Sequence, residues 1–336
     1  MNRFPLFSNP PRNVLVTTHR NVDFDAFAST YGTAIALRRM NVNVKVALFG
    51  SKPHWFDDAC SQAIPNPYRS TIPTVWNELD ADRAIALVDA SDIYRCIDDD
   101  SIDVRLWCVV DHHNVDPQTV NADHVVIDAD APACAVVLYD LARAANVDID
   151  SVLARIWHIG LAGDSVGFSA PSTTYRTHAY AAELLRIAPD AHAIYAQLSK
   201  MTVGLSDIFS AGKTMSDMEM IYAPQKPDNA INVIAFPCDS AVESHILMRM
   251  FGALHLDESI DVIAYVCPNG DNEKSLRVSF RSQNGTAYEL ARRVADELGV
   301  KYGGHDNAAG IQKVFDYEPL DLIDVIFDVA HPYRRG

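Results

Sequence analysis

Four short stretches of this 336-residue chain place histidines and aspartates in patterns that could do metal chemistry. In the first, NVLVTTHRNVDFDAFAS at residues 13–29, an apolar β-branched run leads into His19, Asp23 and Asp25 and then into small residues that suit a helix start. It reads as strand, metal-binding turn and helix, with the polar groups at the carboxyl end of a strand, where open α/β sheets place ligands. One imidazole and two carboxylates are donors of the kind that hold a hard or borderline divalent cation. The plainer alternative is that Asp23 caps a helix whose first turn carries Asp25. The later stretches add weight to the metal. Asp89 ends the run AIALV, Asp111, His112 and His113 follow the run ending at Val110, and Asp164 sits between Gly163 and Ser165. A single Asp at a strand end or in a turn is ordinary, but three consecutive titratable groups after two valines are poorly explained by packing. Two adjacent histidines point to different places, so one can ligate metal while the other faces a substrate oxygen. Taken together, His19, Asp23, Asp25, Asp89, Asp111, His112 and Asp164 supply too many carboxylates for one zinc and suit a two-metal cluster. There a shared carboxylate bridges the ions, which lower the pKa of a bound water for in-line attack on phosphorus.

Alternating strands and helices must position these groups. Strands are expected at residues 42–49, 84–88, 106–110 and 124–127, and helices at 25–40, 133–145 and 151–161, with 50–83 irregular because of Pro53, Pro65, Pro67 and Pro73. The pattern predicts an α/β fold, its N-terminal sheet mostly parallel with helices on both faces. Residues 175–222 read as helical without strand signal, and 224–229 as a boundary. A smaller C-terminal α/β domain follows, with strands at 231–236, 262–266, 276–281 and 311–315, and helices at 241–254, 287–298 and 320–329. KYGGHDNAAG at 301–310 breaks that pattern. The expected domains are residues 1–190, a helical connector at 191–225, and 226–336.

Composition narrows the function. A hydrophobic fraction of 49% and a charged fraction of 21% describe an ordinary globular protein. A formal net charge of -16 argues against a broad surface for long nucleic acid, which clustered Lys and Arg would hold. The six cysteines form no CxxC pair, which points to buried reduced thiols in the cytoplasm. Neither a signal peptide nor a run of membrane-spanning length is read, so no membrane partner is expected.

THRNVDFDA, VDAS, DHH and GDSVGF, in this order, resemble the four motifs of the DHH phosphoesterase superfamily. GGHDNAAG, with Ser279, Arg281 and Ser282 of VSFRS upstream, is similar to the glycine-histidine signature of the DHH-associated C-terminal domain. In size and layout the chain looks most like the oligoribonuclease and 3'-phosphoadenosine 5'-phosphate (pAp) phosphatase group, the NrnA-like proteins. That resemblance implies two divalent cations, manganese first, with magnesium or cobalt as alternatives. It implies that His19, Asp23 and Asp89 hold one cation and that Asp25, Asp89, His112 and Asp164 hold the other. Asp111 would orient His112, and His113 would stand near the scissile phosphate as the catalytic donor. Arg281, Ser282, Gly303, Gly304 and His305 would grip the rest of a small nucleotide or short RNA from across an open cleft, in a chain that forms a homodimer. Two departures stand out: Val22 and Phe24 replace the usual Pro and Gly of the first motif, and APACA at 131–135 lacks hydroxyls expected there. Alternatives to pAp or short-RNA hydrolysis are a cyclic-dinucleotide or linear-dinucleotide phosphodiesterase, an exopolyphosphatase-like or pyrophosphatase hydrolase, and a nucleotide-binding module without turnover.

Overall fold

A computed structural model describes residues 4–20, 22–50, 52–80, 82–97, 104–170, 173–200, 212–213, 219–221, 230–238, 247, 260–269, 272–282 and 284–331. The chain divides into two compact units, Met1–Met201 and Thr202–Gly336.

In the first unit, β1 (Asn13–Thr17), β2 (Asn43–Leu48), β3 (Thr74–Trp76), β4 (Ala84–Val88), β5 (Leu106–Asp111) and β6 (Ala122–Ile127) form one sheet. All pairs are parallel and the order is β3-β2-β1-β4-β5-β6. The central strands read as unbroken apolar runs because both of their faces are buried. The direction of winding reverses between β1 and β4, which makes the carboxyl ends of these two strands the natural crevice for a ligand. Three residues in β3 are too few for a period to show, so this edge strand escapes the sequence reading.

The helices of this unit are the single turn α1 (Pro5–Ser8), α2 (Phe24–Arg39), α3 (Phe56–Ala63), the single turn α4 (Tyr68–Thr71), α5 (Cys134–Ala144), α6 (Ser151–Asp164), α7 (Tyr175–Ile187) and α8 (Ala191–Leu198). One face of the sheet builds the main core with α2, α5 and α6, where Phe27, Ile35, Leu138, Ile156 and Trp157 are buried. The other face holds a smaller core around Leu15, Ile85, Leu87 and Val109, with the 3-10 turn Ile93–Arg95 against it. The expected connector starts with α8, whose Ala191, Tyr195 and Leu198 belong to the main core. The boundary expected at 224–229 lies outside the described residues, as does the helix at 241–254 apart from Leu247.

α2 and α6 approach closely because small residues face each other. A Cβ on Gly160 would stand 2.7 Å from both the Ala28 Cβ and Asp25 Oδ1. A Cβ on Gly32 would collide with the Trp157 indole nitrogen.

The second unit is a mixed sheet of β7 (Glu219–Ile221), β8 (Val233–Pro237), β9 (Val262–Asn269), β10 (Asn272–Ser282), β11 (Tyr302–His305) and β12 (Ala308–Phe315), ordered β11-β12-β10-β9-β8-β7. Its core lies under α9 (Ala287–Leu298) and α10 (Pro319–Ala330). Two expectations change here. A strand, β7, lies within the segment read as mostly helical without strand signal, and it pairs antiparallel with β8. KYGGHDNAAG is no irregular loop but a hairpin of β11 and β12 turning at Asp306 and Asn307. Its glycines and alanines have weak strand preference, yet the backbones need them: at φ 134° a Cβ on Gly304 would come within 2.5 Å of the Ala309 Cα.

Gly160→Ala should therefore cost about 1–3 kcal/mol by overpacking α2 against α6, read by urea unfolding. Gly212→Ala, at a position where a Cβ meets nothing within 4 Å, serves as the control.

Candidate metal centre

The site of the first unit is built on strand ends. Beyond β1 the chain turns through His19 to Asp23, the N-cap of α2, whose Oδ1 accepts the Ala26 N–H at 2.9 Å. The other carboxylate oxygen, Oδ2, stands 3.6 Å from His19 Nε2. Asp23 thus both caps the helix and faces the cluster. The Nδ1 of His19 donates to the Arg20 carbonyl at 2.8 Å, which aims Nε2 at Asp23 and at Asp89 Oδ2, 3.3 Å away.

Asp25, fully buried, holds another helix in place. Its Oδ2 accepts the Cys134 N–H at 2.7 Å, and its Oδ1 accepts the Ala135 N–H at 3.0 Å and the Ser29 hydroxyl at 3.3 Å. α5 begins with Ala133 as an N-cap that offers no side-chain acceptor, and a carboxylate from α2 caps it instead. The cap comes from 109 residues earlier in the chain.

Asp89 occupies the centre. It follows β4 in the left-handed region, at φ 57°, with its N–H donated to the Val110 carbonyl at 2.9 Å. A non-glycine residue there carries strain, and such strain gathers at functional sites. Its Oδ2 faces His19, whereas its Oδ1 lies 3.5 Å from His112 Nε2 and 3.9 Å from His113 Nδ1. Oδ1 is buried and receives no hydrogen bond.

His112 is aligned by a backbone group: its Nδ1 donates to the Ala131 carbonyl at 3.2 Å. Nε2 then faces Asp164 Oδ2 at 3.1 Å and Asp25 Oδ2 at 3.7 Å. Asp164 is the last residue of α6. Here one expectation is corrected. The carboxylate of Asp111 accepts from the His113 ring, Nδ1 to Oδ1 at 2.7 Å, and from the backbone N–H of His112 at 2.8 Å. Asp111 therefore orients His113, and the His112 ring takes its orientation from Ala131. Asp111 ends β5 and is buried beside two successive residues, so its nearest ring follows from local geometry that residue types do not reveal.

All eight residues of the first unit come together. His19, Asp23 and Asp89 form one group of donors within 4.8 Å of one another, Asp25, His112 and Asp164 a second, and Asp89, Asp111 and His113 a third. The electrostatics match a site meant for cations. Burial pushes the Asp25 carboxyl well above its usual range, and the charges of Asp89 and Asp164 push it further. Burial works against charge on His19 and His112, but the surrounding carboxylates outweigh it and raise both rings well above an ordinary histidine. Protons collect where positive charge is wanted.

Residues 13–161 match the DHH family, N-terminal domain, and residues 230–314 match the DHHA1 domain. The chain belongs to the DHH phosphoesterase superfamily. Among relatives of this DHH protein, a probable manganese-dependent inorganic pyrophosphatase of Streptococcus thermophilus is 28% identical over 179 residues, which cover 52% of this chain and 55% of that protein. A protein of the same description from Streptococcus equi subsp. equi is 27% identical over 179 residues. The chain thus spans about half the length of these relatives. A crystal structure of an exopolyphosphatase-related protein from Bacteroides fragilis shares the fold, with a TM-score of 0.70 at 18% identity over 98% of this chain and 94% of that one.

In the DHHA1 unit, Arg281 on β10 is in register with Ala308 of β12, and Ala308 with His305 of β11. Residues directly opposite one another point to the same face, so Arg281 and His305 share a face with Ser279 and Tyr265, which are paired across β10 and β9. Arg281 is half-buried and donates to the Phe280 carbonyl at 2.8 Å, and burial lowers its pKa. Ser282 is different. Its hydroxyl donates to Asn284 Oδ1 at 2.7 Å and accepts the Thr286 N–H at 3.0 Å, so it builds the turn into α9 instead of joining Arg281. As the next residue along the strand it points to the opposite face.

Asp25 gives a test of its double duty in metal-free protein. Asp25→Ala leaves the buried N–H groups of Cys134 and Ala135 without an acceptor and should cost about 2 kcal/mol or more, whereas Asp164→Ala abandons no backbone group. Denaturant unfolding in chelator should show a clearly larger loss for Asp25→Ala, and equal losses would contradict the capping role.

Proposed function

We propose that this chain is a phosphoester hydrolase acting on pAp and very short oligoribonucleotides with the aid of two divalent cations, manganese first and magnesium or cobalt as alternatives. The observation that carries the reading is Asp89: its two carboxylate oxygens face two different groups of ligands, His19 on one side and His112 on the other. In this reading His19, Asp23 and Asp89 hold one cation, and Asp25, Asp89, His112 and Asp164 hold the other. The donor set fits, since carboxylate oxygens and imidazole nitrogens suit these metals, and the buried Oδ1 of Asp89 receives no hydrogen bond and is open to a cation. Bound there, the cations supply Lewis acidity and lower the pKa of an attacking water.

The chain's own groups do the rest. Asp111 fixes His113 through Nδ1, which makes Nε2 the nitrogen that donates to a phosphoryl or leaving oxygen. Carbonyls of Arg20 and Ala131 fix the tautomers of His19 and His112 so that each presents Nε2 to a cation. In the DHHA1 unit, Arg281 and His305, with the bare backbone of Gly303, supply donors for a phosphate, and Ser282 is left out of this set. The acidic chain suits small substrates, because a long polyanion would meet a net charge of -16. The six free cysteines, five of them buried, suit a reducing cytoplasmic setting.

Pyrophosphate hydrolysis is the second reading, favoured by the names of the Streptococcus proteins. Against it stands the DHHA1 domain at residues 230–314, whose glycine-histidine strand and Arg281 suit a larger substrate.

Hydrolysis of pAp, the dinucleotide pApA, a longer RNA and pyrophosphate, each with manganese, tests both readings. Release of phosphate or mononucleotide from pAp and pApA, with little from the others, is expected. Asp89→Ala should lower kcat about a thousand-fold or more, since bridging the two cations is worth several kcal/mol. Arg281→Ala should raise KM about ten-fold through loss of a charge-assisted contact while changing kcat little. Full activity of Asp89→Ala would reject the ligand set, and pyrophosphate as the sole good substrate would select the second reading.

A further inference from the structure

A run of aromatic rings beside the metal cluster has no part in the chemistry above. Phe24 lies between Asp23 and Asp25 and opens α2. Gly163, the residue before Asp164, packs so tightly on it that a Cβ there would stand 2.5 Å from the Phe24 Cβ. Phe24 thus adjoins Asp23 and Asp25 along the chain and packs against the residue before Asp164. Its ring stacks on Trp55, with centroids 4.2 Å apart and planes inclined by 30°, and meets Tyr195 edge-on at 5.4 Å. Beyond Tyr195 the run continues through His192 at 5.9 Å to Phe168 at a further 5.5 Å.

The pair is held rigidly. Trp55 meets the fully buried Phe27 edge-on at 5.8 Å, and Phe27 lies one helical turn after Phe24. Both Phe24 and Trp55 are half-buried and pack against the main core. A ring face carries the negative lobe of its quadrupole, so it offers nothing to a phosphate and much to a flat neutral ring. A phosphate ester seated at the neighbouring cluster has one such part, its nucleobase.

We propose that Phe24 and Trp55 form a stacking shelf for the nucleobase next to the phosphate, and that this shelf sets a preference for nucleotides over inorganic phosphates. The shelf relies on the phosphoesterase reading for the position of the phosphate, but its test needs no turnover. Adenosine 5'-monophosphate and ribose 5-phosphate differ by the base alone. Calorimetric titration of the full chain in manganese buffer should show the nucleotide binding about ten-fold more tightly, the weight of one base stacked on an aromatic side chain. Trp55→Ala should erase that difference, and Trp55→Tyr should restore most of it, with thermal unfolding confirming that each variant is folded. Equal binding of the two ligands by the parent chain, survival of the preference in Trp55→Ala, or an equal weakening of both ligands would each overturn the shelf. These outcomes are separate from the function. Turnover of pAp without base-dependent binding would remove the shelf and leave the hydrolase, whereas base-dependent binding without cleavage of any phosphoester would do the reverse.

Discussion

Buried carboxylates repel one another, and the first unit is arranged around that cost. At an effective dielectric near 20, two carboxylates about 5 Å apart repel by about 3 kcal/mol, and Asp25, Asp89 and Asp164 all surround His112. A fold keeps such a group only if something positive offsets it. In the protein alone that role falls to protons on His19 and His112. The rest of the unit holds the carboxylates in place while they wait for a stronger partner. β1 and β4 deliver His19 and Asp89 to the reversal of the sheet, α2 supplies Asp23 and Asp25, and α6 ends on Asp164.

Three of the acidic groups are tied to the scaffold by a contact that also serves the fold. Asp23 caps α2, Asp25 caps α5, and Asp111 gathers the backbone and ring of the two histidines that follow it. The close approach of α2 and α6 through Gly32 and Gly160 sets how near Asp25 comes to the end of α6. Asp89 differs from these three. Its backbone N–H donates to the Val110 carbonyl in a left-handed conformation, and its carboxylate faces His19 and His112, with Oδ1 receiving no hydrogen bond.

Much of this was legible in the sequence because polar residues at the ends of apolar runs are conspicuous: AIALV before Asp89 and LWCVV before Asp111 mark both the strands and the site. What escaped was carried by groups that have no residue-type signature. The Ala131 carbonyl that aligns His112 and the Cys134 and Ala135 amides that hold Asp25 are backbone atoms, and every residue has them. The Asp111 to His113 contact depends on how the chain turns after β5. The hairpin of β11 and β12 read as a break because Gly303, Gly304, Ala308 and Ala309 are poor strand formers, and at Gly304 the neighbouring backbone leaves no room for a Cβ.

If Asp89 holds two cations, one through each carboxylate oxygen, the number of manganese ions bound per chain reports it. Equilibrium dialysis, with ion positions from anomalous X-ray scattering, should give two ions on either side of Asp89 in the parent chain. Asp89→Asn should lose at least one of them. A single ion in the parent chain, or two ions still held by Asp89→Asn, would contradict the account.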